Sequence, residues 1–224
     1  IKIIAIDEAT LAELGPYSNW DRSYFAKLVE ILNKDKENAP KVIGIDVLFS
    51  GTDYSEEDAY FAEVCSRYDN VVLASTITWD SLLYKEENGQ YYQMQYVSGE
   101  GKPYEALADV TEYGFTNAIY DEDGFVRRTY TKVNSSIGGL PVFYNSFAYL
   151  IARKVDDVKL YPMCVEVGLT SKPGEFECIS MADVLAGKIP LDNFKDCIVL
   201  IGAYEEGMMD FYRVPIDYSK EMYG

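Results

Sequence analysis

Two aspartates lie at the ends of predicted β-strands, where binding and catalytic sites are expected. Asp7 follows an apolar run at residues 1–6, and Asp46 lies near the end of the run at residues 42–49. Crevices in open α/β sheets form at the carboxyl ends of parallel strands, so we expect the two carboxylates to lie near each other. Paired carboxylates can bind Mg²⁺ or act as general acid and base.

An arginine is the expected partner of these acids, because buried like charges raise each other's pKa unless a cation or donor compensates. Arg22 starts a predicted helix, while Arg127 and Arg128 follow a predicted hairpin. A structural polar cluster is the favoured interpretation, and a ligand site and a catalytic site are the alternatives. The proposed cluster consists of Asp7, Arg22, Asp46, Arg128 and Asp210.

Several common chemistries lack their required residues. The chain contains 0 histidines, so a serine or cysteine nucleophile has no imidazole base. The acidic turn before Gly124 is unlike a calcium loop, because Tyr130 stands where a bidentate Glu is required. Residues 202–207 are bounded by glycines, but Met208 and Met209 replace the Lys and Ser or Thr of a phosphate loop. We therefore expect no cofactor and assign no catalytic residue.

The elements that must position the cluster are predicted by hydrophobic patterning. Apolar runs at residues 1–6, 42–49, 71–76 and 198–203 indicate buried parallel strands. Helical spacing of apolar residues appears at residues 21–32 and 55–68, where Ser55 is the expected N-cap of the second helix. The pattern predicts an α/β fold, with a central, mostly parallel sheet flanked by helices.

Added antiparallel hairpins are predicted at Asn88-Gly89, Asp123-Gly124 and Pro173-Gly174. We expect the first to be peripheral, so that residues 82–97 can be shortened without loss of folding. Pro141 is expected to open a helix that continues to Ile151. Ser180 is expected to cap a short helix that ends near Gly187.

Length and charge limit the classes of partner. A chain of 224 residues with 48% hydrophobic residues fits one domain with one core. A net charge of −17 argues against a nucleic acid partner and against adsorption to anionic lipids. The sequence begins directly in an apolar run without a signal peptide, so we expect a piece of a longer protein.

Cysteines and tyrosines each allow two interpretations. Four cysteines show no close-spaced pair, and two fall in core patterns, so we predict free thiols rather than disulfides. Tyr91, Tyr92 and Tyr96 could form a platform for sugar or peptide. Cross-strand packing within a hairpin is the favoured explanation for them.

Short motifs in a fixed order carry a family resemblance. They are Ile6-Asp7-Glu8, Trp20-Asp21-Arg22, residues 42–49, residues 113–128, and residues 198–202 followed by Asp210 and Pro215. This order resembles the second type of CHASE domain, an extracellular sensing module of bacterial membrane receptors. Trp20-Asp21-Arg22 stands where that family usually has Trp-Pro-Arg, and residues 84–104 match nothing assigned to the family.

The resemblance implies a single extracytoplasmic sensor domain spanning residues 1–224, anchored through flanking transmembrane helices. It also implies an unknown small-molecule or peptide signal and a cytoplasmic output enzyme, such as an adenylate cyclase, diguanylate cyclase or kinase. A homodimer fits a receptor that signals across a membrane, although nothing in the composition requires one. Two alternatives remain: a metal-dependent hydrolase or transferase using Asp7 and Asp46, and a cell-surface carbohydrate- or peptide-binding module.

Overall fold

A β-sheet with helices on both faces lies at the centre of the molecule. The computed structural model describes residues 1–51, 56–135, 141–156, 163–168, 175–204, 211–215 and 221–223. The strands in this part of the chain are β1 (Lys2–Ile6), β2 (Val42–Asp46), β3 (Val71–Lys85), β4 (Tyr91–Gly101), β5 (Glu112–Phe115), β6 (Ile119–Tyr120), β7 (Val126–Tyr130), β8 (Lys132–Ser135), β9 (Val142–Asn145), β10 (Cys164–Glu166), β11 (Glu177–Ser180), β12 (Ile198–Ala203), β13 (Phe211–Arg213) and β14 (Glu221–Tyr223). The α-helices are α1 (Glu8–Leu14), α2 (Ser23–Asn33), α3 (Glu56–Ser66), α4 (Glu105–Ala108), α5 (Phe147–Val155) and α6 (Met181–Leu185).

The main sheet has the order β11-β1-β12-β2-β3-β4, with β5 also paired to β3. All of its pairs are parallel except β3 with β4. The predicted α/β fold is therefore confirmed, and the four apolar runs correspond to β1, β2, β12 and the first part of β3. Strand β12 lies between β1 and β2, so Ala5, Gly202 and Asp46 occupy one row across the sheet.

The two faces of the sheet are covered by different helices. Alternate residues such as Ile4, Ile45 and Ile201 are fully buried in the larger core, together with apolar residues of α2, α3 and α6. On the opposite face, Val42 and Val72 pack against α5. Alternation along each strand thus divides the apolar residues between two cores.

Helix α5 approaches the sheet at two glycines. A Cβ added to Gly44 would lie 2.5 Å from Ile151 Cδ1, and one added to Gly114 would lie 2.6 Å from the backbone nitrogen of Phe147. These separations are below van der Waals contact, so a side chain at either position would displace the helix. The absence of a side chain at both positions allows α5 to lie directly on β2 and β5.

The start of α5 differs from the sequence prediction. Residues after Pro141 form β9, which pairs antiparallel with β8, and the helix begins only at Phe147. Ser146 is the N-cap, and its Oγ accepts a hydrogen bond from the Tyr149 backbone at 3.2 Å. The prediction that Pro141 opens the helix was wrong, because Val142 and the aromatic residues after it favour a strand and Ser146 supplies the cap.

Two of the predicted hairpins are confirmed. Gly89 has φ +85° in the turn between β3 and β4, where Glu86 N donates to the Gln90 carbonyl at 2.9 Å. Gly124 has φ +81° between β6 and β7. Val97, however, is 7% exposed and packs with Ile77 in a third apolar cluster, so residues 82–97 are not entirely peripheral.

The flanks of the third predicted hairpin do not pair with each other. Strand β10 pairs antiparallel with β7, while β11 adds a parallel strand to β1. Burial of Ile179 against the main core accounts for the placement of β11. The turn itself, Pro173-Gly174, lies outside the described residues, as do Ser55 and Asp210.

Candidate functional site

The segment Trp20-Asp21-Arg22 joins the first helical segments to the core. The Trp20 ring lies 5.1 Å from Tyr17 and 5.6 Å from Tyr24, centroid to centroid, and its Nε1 donates to the Gly15 carbonyl at 2.9 Å. Asp21 Oδ1 accepts from Ser23 N at 2.8 Å, which satisfies a free donor at the start of α2. Arg22 is thereby placed at the N-cap of α2.

Arg22 links α2 to two further segments at the carboxyl edge of the sheet. Its Nη2 donates to the carbonyl oxygens of Ser50 and Gly51 at 3.2 and 2.9 Å. Its Nη1 lies 2.5 Å from Oδ1 of Asp58 in α3. The two side chains are only 18% and 10% exposed, so this ion pair is largely removed from water.

Tyr104 completes this arrangement from the opposite side. The Arg22 guanidinium lies 4.4 Å from the centroid of the Tyr104 ring, within the range of a cation–π interaction. The Tyr104 hydroxyl donates to the Asp58 carbonyl at 2.7 Å. Burial raises the pKa of Tyr104, the Asp58 carboxylate raises it further, and Arg22 opposes both. The hydroxyl therefore stays protonated and serves as a donor. We call Arg22, Asp58 and Tyr104 the arginine clamp.

Asp7 caps a helix. Its Oδ1 accepts from the Thr10 backbone nitrogen at 2.9 Å, from Thr10 Oγ1 at 2.6 Å and from Ser180 Oγ at 2.8 Å. Burial alone would raise the pKa of Asp7, but the hydrogen bonds from Thr10 and Ser180 outweigh it and the pKa is lowered. Asp7 is thus held as a carboxylate that fixes the start of α1 against β11.

Asp46 also lies at the carboxyl edge, but with a strand between it and Asp7. It is in register with Gly202 of β12, and β12 separates β2 from β1. Two inter-strand spacings separate Asp46 from Ala5, and Asp7 lies two residues beyond Ala5, so the backbones of the two aspartates are more than about 10 Å apart. Asp7 contacts Ser180 on β11, which flanks β1 on the side away from β12. The structure therefore does not bring Asp7 to Arg22, whose ion pair is with Asp58.

Arg128 belongs to a separate surface cluster in the hairpin formed by β6 and β7. It forms an ion pair with Asp121, which also pairs with Arg127 at 2.8 Å. A hydrogen bond from Arg127 lowers the pKa of Asp123 to about 2, in spite of the opposing effect of desolvation. These charges neutralise one another around the turn at Gly124, so the cluster stabilises the hairpin. Asp210, the fifth residue of the expected cluster, lies outside the described residues.

The described ranges contain other metal-ligating and thiol side chains. No group of three or more His, Cys, Asp or Glu residues there has the arrangement of a metal site. The four cysteines carry free thiols, and burial raises the pKa of Cys65 to about 12, which makes it an inert core residue. A shallow groove between one face of α2 and the last residues of α1 and α6 is lined by Leu14, Tyr24, Lys27, Glu30, Ile31 and Leu185.

The sequence prediction missed Asp58 and Tyr104, the partners of Arg22. Asp58 occupies the buried stripe of α3 with Phe61, Ala62 and Cys65, at helical spacing of three, four and seven residues. An acid within an apolar stripe signals a buried ion pair, because a buried charge requires a partner. The sequence around Tyr104 gave no comparable indication of burial, since its neighbours along the chain show no regular pattern of apolar residues.

Comparison with known proteins gives one match. The family model described as the CHASE2 domain matches residues 1–224, which is the whole chain. CHASE2 domains are extracellular sensory domains of signalling receptors. No curated protein and no solved structure matches the chain. Within the described residues, no helix combines the length and apolar character needed to cross a bilayer.

Proposed function

Because this chain belongs to the CHASE2 domain family, we propose that it is the ligand-sensing domain of a transmembrane receptor. In this proposal the domain is held on the extracytoplasmic side by flanking transmembrane helices. It responds to a small molecule or peptide and passes the signal to a cytoplasmic enzyme of the cyclase, diguanylate cyclase or kinase type.

The arginine clamp is the observation that supports a binding role for the carboxyl edge. The Arg22 side chain contacts the loop after β2, helix α3 and the residue before α4. A ligand that displaces any one of these segments changes the contacts of the other two through Arg22. Such a shared contact is what a sensor requires, because a small local shift must reach a larger part of the fold.

The charge of the crevice favours one class of ligand. Asp46 is partly exposed at this edge, and the chain carries a net charge of −17. Negative potential concentrated in a cleft attracts cations. We therefore propose a small molecule or peptide with a positively charged group.

Strand β1 offers a direct route from the crevice to the opposite edge of the sheet. It lies between β11 and β12, and four steps of about 3.3 Å separate Lys2 from Ile6. Lys2, at the amino edge, forms an ion pair of 2.6 Å with Glu177. A transmembrane helix preceding β1 would be attached at this edge, while the ligand binds at the other.

Thermal unfolding with a panel of amines, amino acids and cationic peptides tests the proposal. A ligand that binds the folded chain raises the melting temperature in proportion to RT ln(1 + [L]/Kd). We expect Asp46→Asn to lose this rise, while Asp69→Asn, an exposed acid before β3, keeps it. A rise retained in Asp46→Asn would place binding elsewhere. A rise produced by Mg²⁺ or Mn²⁺, and abolished by Asp46→Asn, would favour the metal-dependent enzyme instead.

A further inference from the structure

The hairpin formed by β3 and β4 carries an exposed apolar surface. One face of this two-stranded ribbon carries three pairs of directly opposed residues, which we call rungs. All of these residues except Asp80 are aromatic or aliphatic. The rungs are Asp80 with Tyr96, Leu82 with Met94, and Tyr84 with Tyr92. Leu82, Tyr84, Tyr92 and Met94 are 46%, 55%, 45% and 43% exposed. We call these six residues the ribbon stripe.

The ribbon stripe is large enough to require an explanation. Its four exposed apolar side chains present on the order of 400 Å² to water. Exposed apolar patches of this size commonly mark interaction sites. Asp80 is the one charged residue of the stripe, and the other charges of residues 79–97 lie at the tip, at Lys85, Glu86 and Glu87.

We propose that the ribbon stripe is the contact surface for a second copy of this chain. Charge supports this occupant, because Asp80 is the one charged residue of the stripe, whereas the whole chain carries −17. Two such acidic molecules repel each other, and a surface with a single carboxylate adds little to that repulsion. A small ligand is disfavoured here, since small-molecule sites are concave and the face of a two-stranded ribbon is not.

The order of residues along the stripe is also self-complementary. Its rungs are spaced equally on either side of the rung formed by Leu82 and Met94, about 6.7 Å apart. A two-fold axis crossing the strands at this central rung places Leu82 over Leu82 of the second copy. It also places Tyr84 over Asp80 of the second copy, so that a hydroxyl meets a carboxylate. The same surface is then used by both copies, as a two-fold interface requires.

The area predicts a weak dimer. Packing two stripes face to face buries on the order of 800 Å² in total, below the roughly 1,200 Å² typical of stable complexes. We therefore expect monomers in dilute solution and dimers at high protein concentration. Copies held together on a membrane would associate more strongly, because tethering raises their effective concentration.

Sedimentation equilibrium of the chain over a range of concentrations tests the proposal. We expect the average mass to rise toward twice that of one chain, and Leu82→Asp to weaken the association at least tenfold. Leu83→Asp is the matched control, because Leu83 is the next residue, is 76% exposed and points to the opposite face. Circular dichroism checks that both variants are folded.

A second measurement locates the contact. In a Cys178→Ser background, a short bismaleimide should cross-link Leu82→Cys into a covalent dimer and leave Leu83→Cys mainly monomeric. A parent chain that stays monomeric at every concentration would overturn the proposal, as expected if the stripe instead binds carbohydrate or peptide. Equal weakening by Leu82→Asp and Leu83→Asp, or equal cross-linking at both positions, would also overturn it.

Discussion

Arg22 is the side chain through which the loops at the carboxyl edge are held together. Its guanidinium contacts two loop carbonyls, the Asp58 carboxylate and the Tyr104 ring. Breaking a largely buried ion pair leaves an uncompensated charge, and this costs more than the pair itself contributes. The clamp therefore makes the geometry of the carboxyl edge sensitive to one residue.

Replacing Arg22 with Met should lower the free energy of unfolding by about 3 kcal/mol, because Asp58 is left largely buried without this cation. Urea unfolding measures the change. Arg67→Met is the matched control, since Arg67 is 44% exposed and pairs with Glu63 and Glu30 at the surface. We expect the control to unfold near the parent's midpoint. Similar small losses in both variants would contradict a clamp.

The capping role of Asp7 predicts a dependence on pH. Asp7→Ala should cost about 1–2 kcal/mol at neutral pH, as expected for loss of an N-cap. The pKa of Asp7 is lowered in the folded chain, so the stability it contributes is complete above its unfolded value of about 3.9 and is lost as the pH falls through the folded value. The penalty measured by urea unfolding should therefore shrink between about pH 5 and pH 3. A penalty that stays constant over this range would show that Asp7 acts without its charge.

At the scale of elements, the ribbon formed by β3 and β4 divides into a removable arm and a base that belongs to the core. Replacing residues 81–95 with Asn-Gly joins the opposed residues Asp80 and Tyr96 and should leave unfolding cooperative. Extending the replacement through Val97 should destabilise the chain, because Val97 packs with Ile77, Phe115 and Val133. Urea unfolding of both variants distinguishes them. Loss of cooperativity in the shorter replacement would show that the arm is part of the core.

The contact between α5 and β5 gives a second prediction at this scale. Gly114→Ala should destabilise the chain by about 1–3 kcal/mol, because the new methyl group meets the backbone at Phe147 N. Gly168→Ala is the control, since no atom lies within 4 Å of its added Cβ. Thermal unfolding compares the two variants. If Gly114→Ala has the same melting temperature as the control, α5 can move away from the sheet at little cost in stability.

The sequence predicted elements better than the contacts between them. Periodicity located β1, β2, β12, α2 and α3, because burial on one face leaves a regular pattern. It could not show that β12 inserts between β1 and β2, or that β11 adds to the edge of β1, since strand order depends on contacts distant in sequence. For the same reason the sequence could not predict the ion pair between Arg22 and Asp58. These residues are 36 positions apart and meet only because α2 packs beside α3.

At the scale of the whole molecule, the proposed function assigns one edge of the sheet to a ligand and the other edge to the flanking transmembrane segments. Family membership supports the sensory role, since CHASE2 domains are extracellular sensory domains. The arginine clamp lies at the first edge, and the ion pair between Lys2 and Glu177 lies at the second. The proposed function requires this domain to lie on the extracytoplasmic side of the membrane.

Labelling of Cys178 in intact cells tests that location most directly. Cys178 is exposed on β11, whereas Cys65 is buried. Burial and the Asp7 carboxylate raise the pKa of Cys178, so the reaction is carried out at mildly alkaline pH. In cells that produce the full-length protein, a membrane-impermeant maleimide should label the parent chain more strongly than the Cys178→Ser variant, because Cys164 and Cys197 are less exposed than Cys178. Labelling of Cys178 that appears only after the cells are lysed would contradict an extracytoplasmic sensor.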